Sequence, residues 1–91
     1  MTRINIYITQ TGLSVVGHGT NEPCTRISTI FQILIALLES KIDTLEETSG
    51  LSSVVFSPLT KSEQKIFDRI IALVLSLPDL YPRSFEITNN R

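Results

Sequence analysis

The chain has 91 residues, a net charge of −1 and a pI of about 5.7. This length predicts a single domain over residues 1–91. No cluster of basic residues interleaved with aromatic residues occurs, which argues against nucleic-acid binding. The mean hydropathy of +0.19 is high for a small protein and favours a buried contact between subunits.

The chain has one cysteine, Cys24, which cannot form an internal disulfide and fits a reducing compartment. The first ten residues, MTRINIYITQ, alternate polar and apolar side chains and are not typical of a signal peptide. The longest apolar run, residues 33–38, is too short to cross a bilayer. We therefore expect a cytoplasmic protein without membrane association.

The first predicted element is a β-hairpin. Ile4, Ile6 and Ile8 alternate with polar or amphipathic residues, which is typical of a half-buried strand. Residues 10–12, QTG, predict a turn, and residues 13–17 predict the returning strand.

A helix is predicted over residues 22–40. Asn21 suits the N-cap, and Glu22 suits the positive end of the helix dipole. Two apolar stripes follow, so the helix should be buried on more than one side. The sheet would cover one side, and a second helix or a second subunit would cover the other. We therefore expect a homodimer through Ile30, Leu34 or their neighbours.

The second half of the chain predicts further strands around a second helix. Residues 51–57 are the stronger strand, whereas residues 42–48 alternate weakly and are compatible with a strand or a loop. Residues 84–88 alternate and predict a short strand. Ser49-Gly50 predicts a turn between residues 42–48 and residues 51–57.

The second helix begins with a predicted capping box. Thr60 would be its N-cap and Glu63 the third helical residue, and Pro78 is expected to end the helix. The order is strand, strand, helix, weak strand, strand, helix, strand. It predicts an α/β (α+β) fold with two helices packed on a small mixed, mostly antiparallel sheet.

The only histidine, His18, and the only cysteine, Cys24, lie close together where the strand pattern gives way to the helix pattern. A thiolate is favoured at a helix N-terminus, and a nearby imidazole can accept the thiol proton. Asn21 and Glu22 lie between the pair and could orient the imidazole, although both already serve the helix start. Ser28 follows Cys24 by one helical turn, where its hydroxyl could bond the thiolate, the imidazole or a substrate carbonyl.

Other interpretations of the same residues remain open. A lone cysteine in an apolar helix is most often a small buried hydrophobic residue, and a lone histidine is often only a strand-end residue. One histidine and one cysteine supply too few ligands for a metal site, and we expect no cofactor.

The motif resembles a known family. Gly17-His18, a short loop, and then Cys24 and Ser28 in the pattern C-x-x-x-S are similar to the ribosomal-processing cysteine proteases called Prp. The resemblance implies that Cys24 is the nucleophile and His18 its base, with Ser28 and Gly17 in supporting roles. It implies removal of an N-terminal segment from a large-subunit ribosomal protein, or from a phage capsid or scaffold protein, at a motif with paired aromatic residues. It also implies a homodimer.

The loop between the two site residues departs from the family pattern. It consists of residues 19–23, GTNEP, whereas the family has a longer loop with an aspartate shortly before the cysteine. The alternative to a protease is therefore a catalytically inactive dimeric interaction module with the same fold.

Overall fold

The computed structural model describes residues 3–17 and 21–91, and the described residues form five strands and two α-helices. In chain order these are β1 (Ile4–Ile8), β2 (Gly12–Val16), α1 (Asn21–Leu37), β3 (Ile42–Thr48), β4 (Leu51–Phe56), α2 (Lys61–Leu80) and β5 (Phe85–Asn89). A short 3-10 turn, Glu39–Lys41, joins α1 to β3. The predicted order of elements is confirmed.

The strands form one mixed sheet in the order β3-β4-β2-β1-β5. β5 pairs parallel to β1, and the other neighbouring pairs are antiparallel. Since β4 and β5 run in the same direction, α2 is the crossover that carries the chain to the far edge of the sheet. The prediction of a mixed, mostly antiparallel sheet with two helices is confirmed.

The core lies between the sheet and both helices. In β1, Ile4, Ile6 and Ile8 are fully buried, whereas Tyr7 points to the opposite face and is exposed. These isoleucines belong to the same hydrophobic cluster as residues of both helices, among them the fully buried Phe67. Both helices therefore cover one face of the sheet, and the alternation of β1 follows from that arrangement.

The weakly predicted strand, β3, forms over the predicted residues 42–48. It is an edge strand that pairs only with β4, and all of its residues after Ile42 are exposed. The polar and apolar residues of β3 alternate only weakly because neither face of the strand is buried. β4 ends at Phe56, one residue earlier than predicted, and β5 begins one residue later, at Phe85.

α1 is shorter than predicted at its C-terminal end. It ends at Leu37, three residues early, because the chain must turn into β3 through the 3-10 turn, where Lys41 N–H donates to the Leu38 carbonyl at 3.0 Å. Asn21, the predicted N-cap, is instead the first helical residue, so that prediction was wrong by one position. Glu22 lies in the first turn as expected.

The N-terminus of α2 matches its prediction. The Thr60 hydroxyl accepts from Glu63 N–H at 3.2 Å, and the Glu63 carboxylate accepts from Thr60 N–H at 2.8 Å. The prediction that Pro78 ends the helix was wrong, because α2 continues through it to Leu80. Pro78 lies in the last turn, where its missing N–H costs only one helical bond and the next turn still closes from Tyr81 N–H to the Leu77 carbonyl at 2.8 Å.

The prediction of the subunit contact surface on α1 was partly wrong. Leu34 is fully buried in the core of its own chain, so it is not available to a second subunit. Ile30 is half-buried against the same core. The neighbouring Ile33 and Leu37 are 45% and 54% exposed, and they form the apolar part of the outer face of α1.

Candidate active site

Three of the four predicted site residues line one cleft. Gly17, Cys24 and Ser28 surround a cavity of about 230 Å³ at the junction of β2 and α1. His18 lies outside the described residues, so its pairing with Cys24 stays a prediction. In the sequence it directly follows Gly17, which lines the cleft.

The floor of the cleft is apolar and belongs to the core. It is formed by Ile4 and Val15 from the hairpin and by Ile27 and Phe31 from α1. Ile4, Ile27 and Phe31 are buried, so this wall is fixed by the packing that holds α1 on the sheet. A side chain entering the cleft would therefore meet a hydrocarbon surface.

The opposite wall is the turn between β3 and β4, which the sequence did not single out as part of the site. Residues 48–52 line this wall, and three of them, Thr48, Ser49 and Ser52, carry hydroxyls. No charged side chain lines the cleft within residues 3–17 and 21–91. The described lining is therefore uncharged, with a hydrocarbon floor and a hydroxyl-bearing rim.

Gly17 joins the two walls and requires glycine. Its φ of +104° belongs to a region that other residues adopt only with strain, and a Cβ here would lie 3.0 Å from the Arg3 carbonyl oxygen. Its N–H donates to the Gly50 carbonyl at 2.8 Å, which ties the β3–β4 turn to the end of β2. This bond also anchors the far wall of the cleft.

Cys24 and Ser28 reach the cleft from α1. Cys24 is half-buried in the first turn of the helix and packs against the core, so its thiol borders both the core and the cleft. Ser28 lies one turn later and is exposed. The helix spacing predicted from the sequence therefore brings these two residues to the same cavity.

The carboxylate of Glu22 has a partner far away in the sequence. Tyr81 Oη donates to Glu22 Oε1 at 2.9 Å, and Arg26 Nη2 lies 4.0 Å from the same oxygen. The hydrogen bond to Glu22 raises the pKa of Tyr81, so its hydroxyl stays protonated and continues to donate. Of the two residues considered for orienting the imidazole, Glu22 is thus engaged by Tyr81, which the sequence did not identify as part of the site.

No protein-family model and no curated protein sequence matches the chain. Solved structures do match. An essential ribosomal processing protease Prp from S. aureus, in complex with a covalently linked product peptide, superposes with a TM-score of 0.78 at 12% identity, covering 99% of this chain and 100% of that one. The same protease in complex with a substrate peptide gives a TM-score of 0.78 at 11% identity over the same shares of both chains.

The chain has the Prp fold. A protein from Streptococcus mutans also shares it, with a TM-score of 0.74 at 16% identity over 99% of this chain and 94% of that one. The resemblance seen in the sequence is therefore confirmed for the fold along nearly the whole chain. Identities this low show the fold alone, because one fold can carry different activities.

Neither α1 nor α2 is both long and apolar enough to cross a bilayer, and the same holds for any other helix within the described residues.

Proposed function

We propose that this chain is a cysteine endopeptidase of the Prp type. The observation that carries the proposal is the position of Cys24, in the first turn of α1, beside a cleft whose described lining is uncharged and whose other wall is tied to Gly17. His18, the next residue after Gly17, would be the base. The fold that supports this arrangement is shared with a protease whose structures hold a substrate peptide and a covalently linked product peptide.

The proposed reaction has two steps. His18 accepts the thiol proton, Cys24 sulfur attacks the carbonyl carbon of the scissile peptide bond, and the C–N bond breaks as the imidazolium protonates the leaving amine. This leaves a thioester on Cys24. Water then attacks the thioester carbonyl while His18 accepts its proton, the S–C bond breaks, and the thiol is restored. Backbone N–H groups in the first turn of α1 would stabilise the oxyanion formed in each step, and Ser28 would support it.

The cleft suits an apolar substrate side chain. A cavity of roughly 150 Å³ lined by hydrocarbon is enough to hold a benzene ring, and this one has about 230 Å³ with an apolar floor. The proposed substrate is therefore an extended segment with aromatic residues, in the N-terminal part of a large-subunit ribosomal protein or of a phage capsid or scaffold protein. Charged side chains would enter the cleft poorly, because its described lining offers them no partner.

We propose that the chain acts as a homodimer through the outer faces of its helices. Residues 27–38, which lie in α1 and directly after it, include no charged residue, and neither do residues 70–78 of α2. Leu73 and Leu80 of α2 are 53% and 64% exposed, in addition to Ile33 and Leu37 of α1. A second copy would cover this apolar surface with its own equivalent surface, as isologous contacts do.

Peptide cleavage tests the proposal. Peptides with paired aromatic residues are incubated with wild type, Cys24→Ala, His18→Ala and Thr29→Ala, and the products are identified by mass spectrometry. Thr29 is exposed on α1 and lies outside the cleft, so Thr29→Ala is the matched control. We expect cleavage by wild type and Thr29→Ala only.

Equal cleavage by wild type and Cys24→Ala would overturn the assignment. If folded wild type binds the peptides without cleaving them, the result supports the inactive interaction module instead.

A further inference from the structure

The bond between Tyr81 and Glu22 joins the C-terminal end of α2 to the first turn of α1. Its two residues are 59 positions apart in the sequence. Glu22 precedes Cys24 by two residues, so the bond acts on the helical turn that carries the cleft thiol.

Tyr81 is itself held at several points. Its N–H donates to the Leu77 carbonyl at 2.8 Å, and its own carbonyl accepts from Ser84 N–H at 3.1 Å. Its ring packs edge-on against Phe85, with centroids 6.1 Å apart, and Phe85 is buried. The Tyr81 hydroxyl is therefore a fixed donor that belongs to the end of α2 and the start of β5.

Glu22 and Cys24 point to different sides of α1. Residues two apart on a helix do not share a face, and here Cys24 borders the cleft while Glu22 contacts Tyr81 and Arg26. The bond from Tyr81 therefore acts on Cys24 through the helical turn that Glu22 and Cys24 share.

We propose that Tyr81 is a positioning residue for Cys24, because its hydroxyl, bonded to Glu22, fixes the first turn of α1. The consequence for catalysis rests on the proposed function, whereas the effect on thiol reactivity does not. The bond lies at the surface, where a hydrogen bond to a charged group has a modest net effect. We therefore expect changes of about two- to tenfold in rate and not a complete loss.

The test is a double-mutant cycle of Tyr81→Phe, Glu22→Ala and the combination. Phenylalanine keeps the ring that packs on Phe85 and removes only the hydroxyl. Tyr7→Phe is the matched control, because Tyr7 is exposed on the opposite face of the sheet. The main measurement is the rate of Cys24 alkylation by iodoacetamide at neutral pH, and the thermal midpoint of each variant is measured beside it.

Tyr81→Phe should lower the alkylation rate with little change in thermal midpoint, and Tyr7→Phe should leave the rate unchanged. The double variant should match Glu22→Ala alone, since the hydroxyl has no role once its partner is removed. In peptide cleavage, Tyr81→Phe should lower kcat with KM unchanged.

Two results would overturn the proposal. One is an alkylation rate for Tyr81→Phe equal to that of wild type, and the other is a double variant whose alkylation rate falls by the product of the two single-variant decreases. If Tyr81→Phe does not fold, an unchanged alkylation rate in Glu22→Ala overturns the proposal equally. Alkylation needs no substrate, so the absence of peptide cleavage would count against the protease assignment and leave this test valid.

Discussion

Gly17→Ala should destabilise the protein and disturb the cleft at the same time. The residue has a φ of +104°, and the new methyl group would lie 3.0 Å from the Arg3 carbonyl oxygen. Forcing a non-glycine residue into such a conformation costs about 1–3 kcal/mol, and the close approach to backbone leaves little room for relaxation. We therefore expect a loss of about 2 kcal/mol in the free energy of unfolding.

The assay is thermal unfolding followed by circular dichroism. In a chain of this size, 1 kcal/mol corresponds to about 4–8 °C in the thermal midpoint, so Gly17→Ala should melt roughly 8–16 °C below wild type. Val16→Ala is the control: it lies one residue earlier, is partly exposed, and keeps its own backbone conformation. Its loss should be at most about 1 kcal/mol.

A midpoint for Gly17→Ala within about 2 °C of wild type, which is less than about 0.5 kcal/mol, would refute the reasoning, because the positive φ would then carry no cost. The bond from Gly17 N–H to the Gly50 carbonyl makes a second consequence measurable. Exchange of the amide at position 17 should accelerate in Gly17→Ala, since a shifted backbone loosens the tie between β2 and the β3–β4 turn.

Two further predictions concern charge and assembly. The hydrogen bond from Thr60 N–H and the nearby Lys41 hold the pKa of Glu63 below its usual 4.5, so its stabilising contribution is present above that pH and is lost as the pH falls through the folded-state pKa. The difference in thermal midpoint between wild type and Glu63→Gln should therefore shrink on acidification below 4.5, and a constant difference would contradict this. Wild type should sediment as a dimer at micromolar concentration and Leu37→Glu as a monomer, whereas a monomeric wild type would refute the proposed subunit contact.

The elements that were predicted well are those whose sequence signals come from neighbouring residues. The alternation of Ile4, Ile6 and Ile8 predicts β1 because one face of the sheet is buried, and the Thr60–Glu63 pair predicts the start of α2 because both of its hydrogen bonds lie within one turn. β3 was predicted only weakly, since an edge strand with two exposed faces lacks the alternation that marks a half-buried one.

The errors arise where position in the fold overrides a local rule. A proline breaks a helix when it lies in the helix interior. Pro78 lies in the last turn of α2, where the buried Leu77 and the backbone bond from Tyr81 N–H keep the helix intact. Leu34 belongs to an apolar stripe that the sequence could not divide between core and outer surface. Leu34 lies on the same face of α1 as Ile27 and Phe31, which are buried in the core, whereas Leu37 is exposed.

The site was predictable to the extent that it is local. Gly17, Cys24 and Ser28 lie within twelve residues, and strand and helix spacing brings them to one cleft. The turn around Gly50 and the hydroxyl of Tyr81 reach the same region from 33 and 59 residues away, through the bonds to Gly17 and Glu22. Contacts of that separation follow from the topology of the sheet and leave no periodicity in the sequence.

The structure also separates residues that hold the fold from residues proposed to do chemistry. Cys24 is half-buried and Ser28 exposed, whereas the floor beneath them consists of fully packed residues such as Ile27 and Phe31. Replacing Cys24 with alanine removes a sulfur at the border of the core and leaves that floor in place, so a loss of cleavage in Cys24→Ala would report on chemistry. Gly17 has a role in both, because its N–H ties the β3–β4 turn to β2 and it directly precedes His18, the proposed base. Its variants must therefore be interpreted through stability first and activity second.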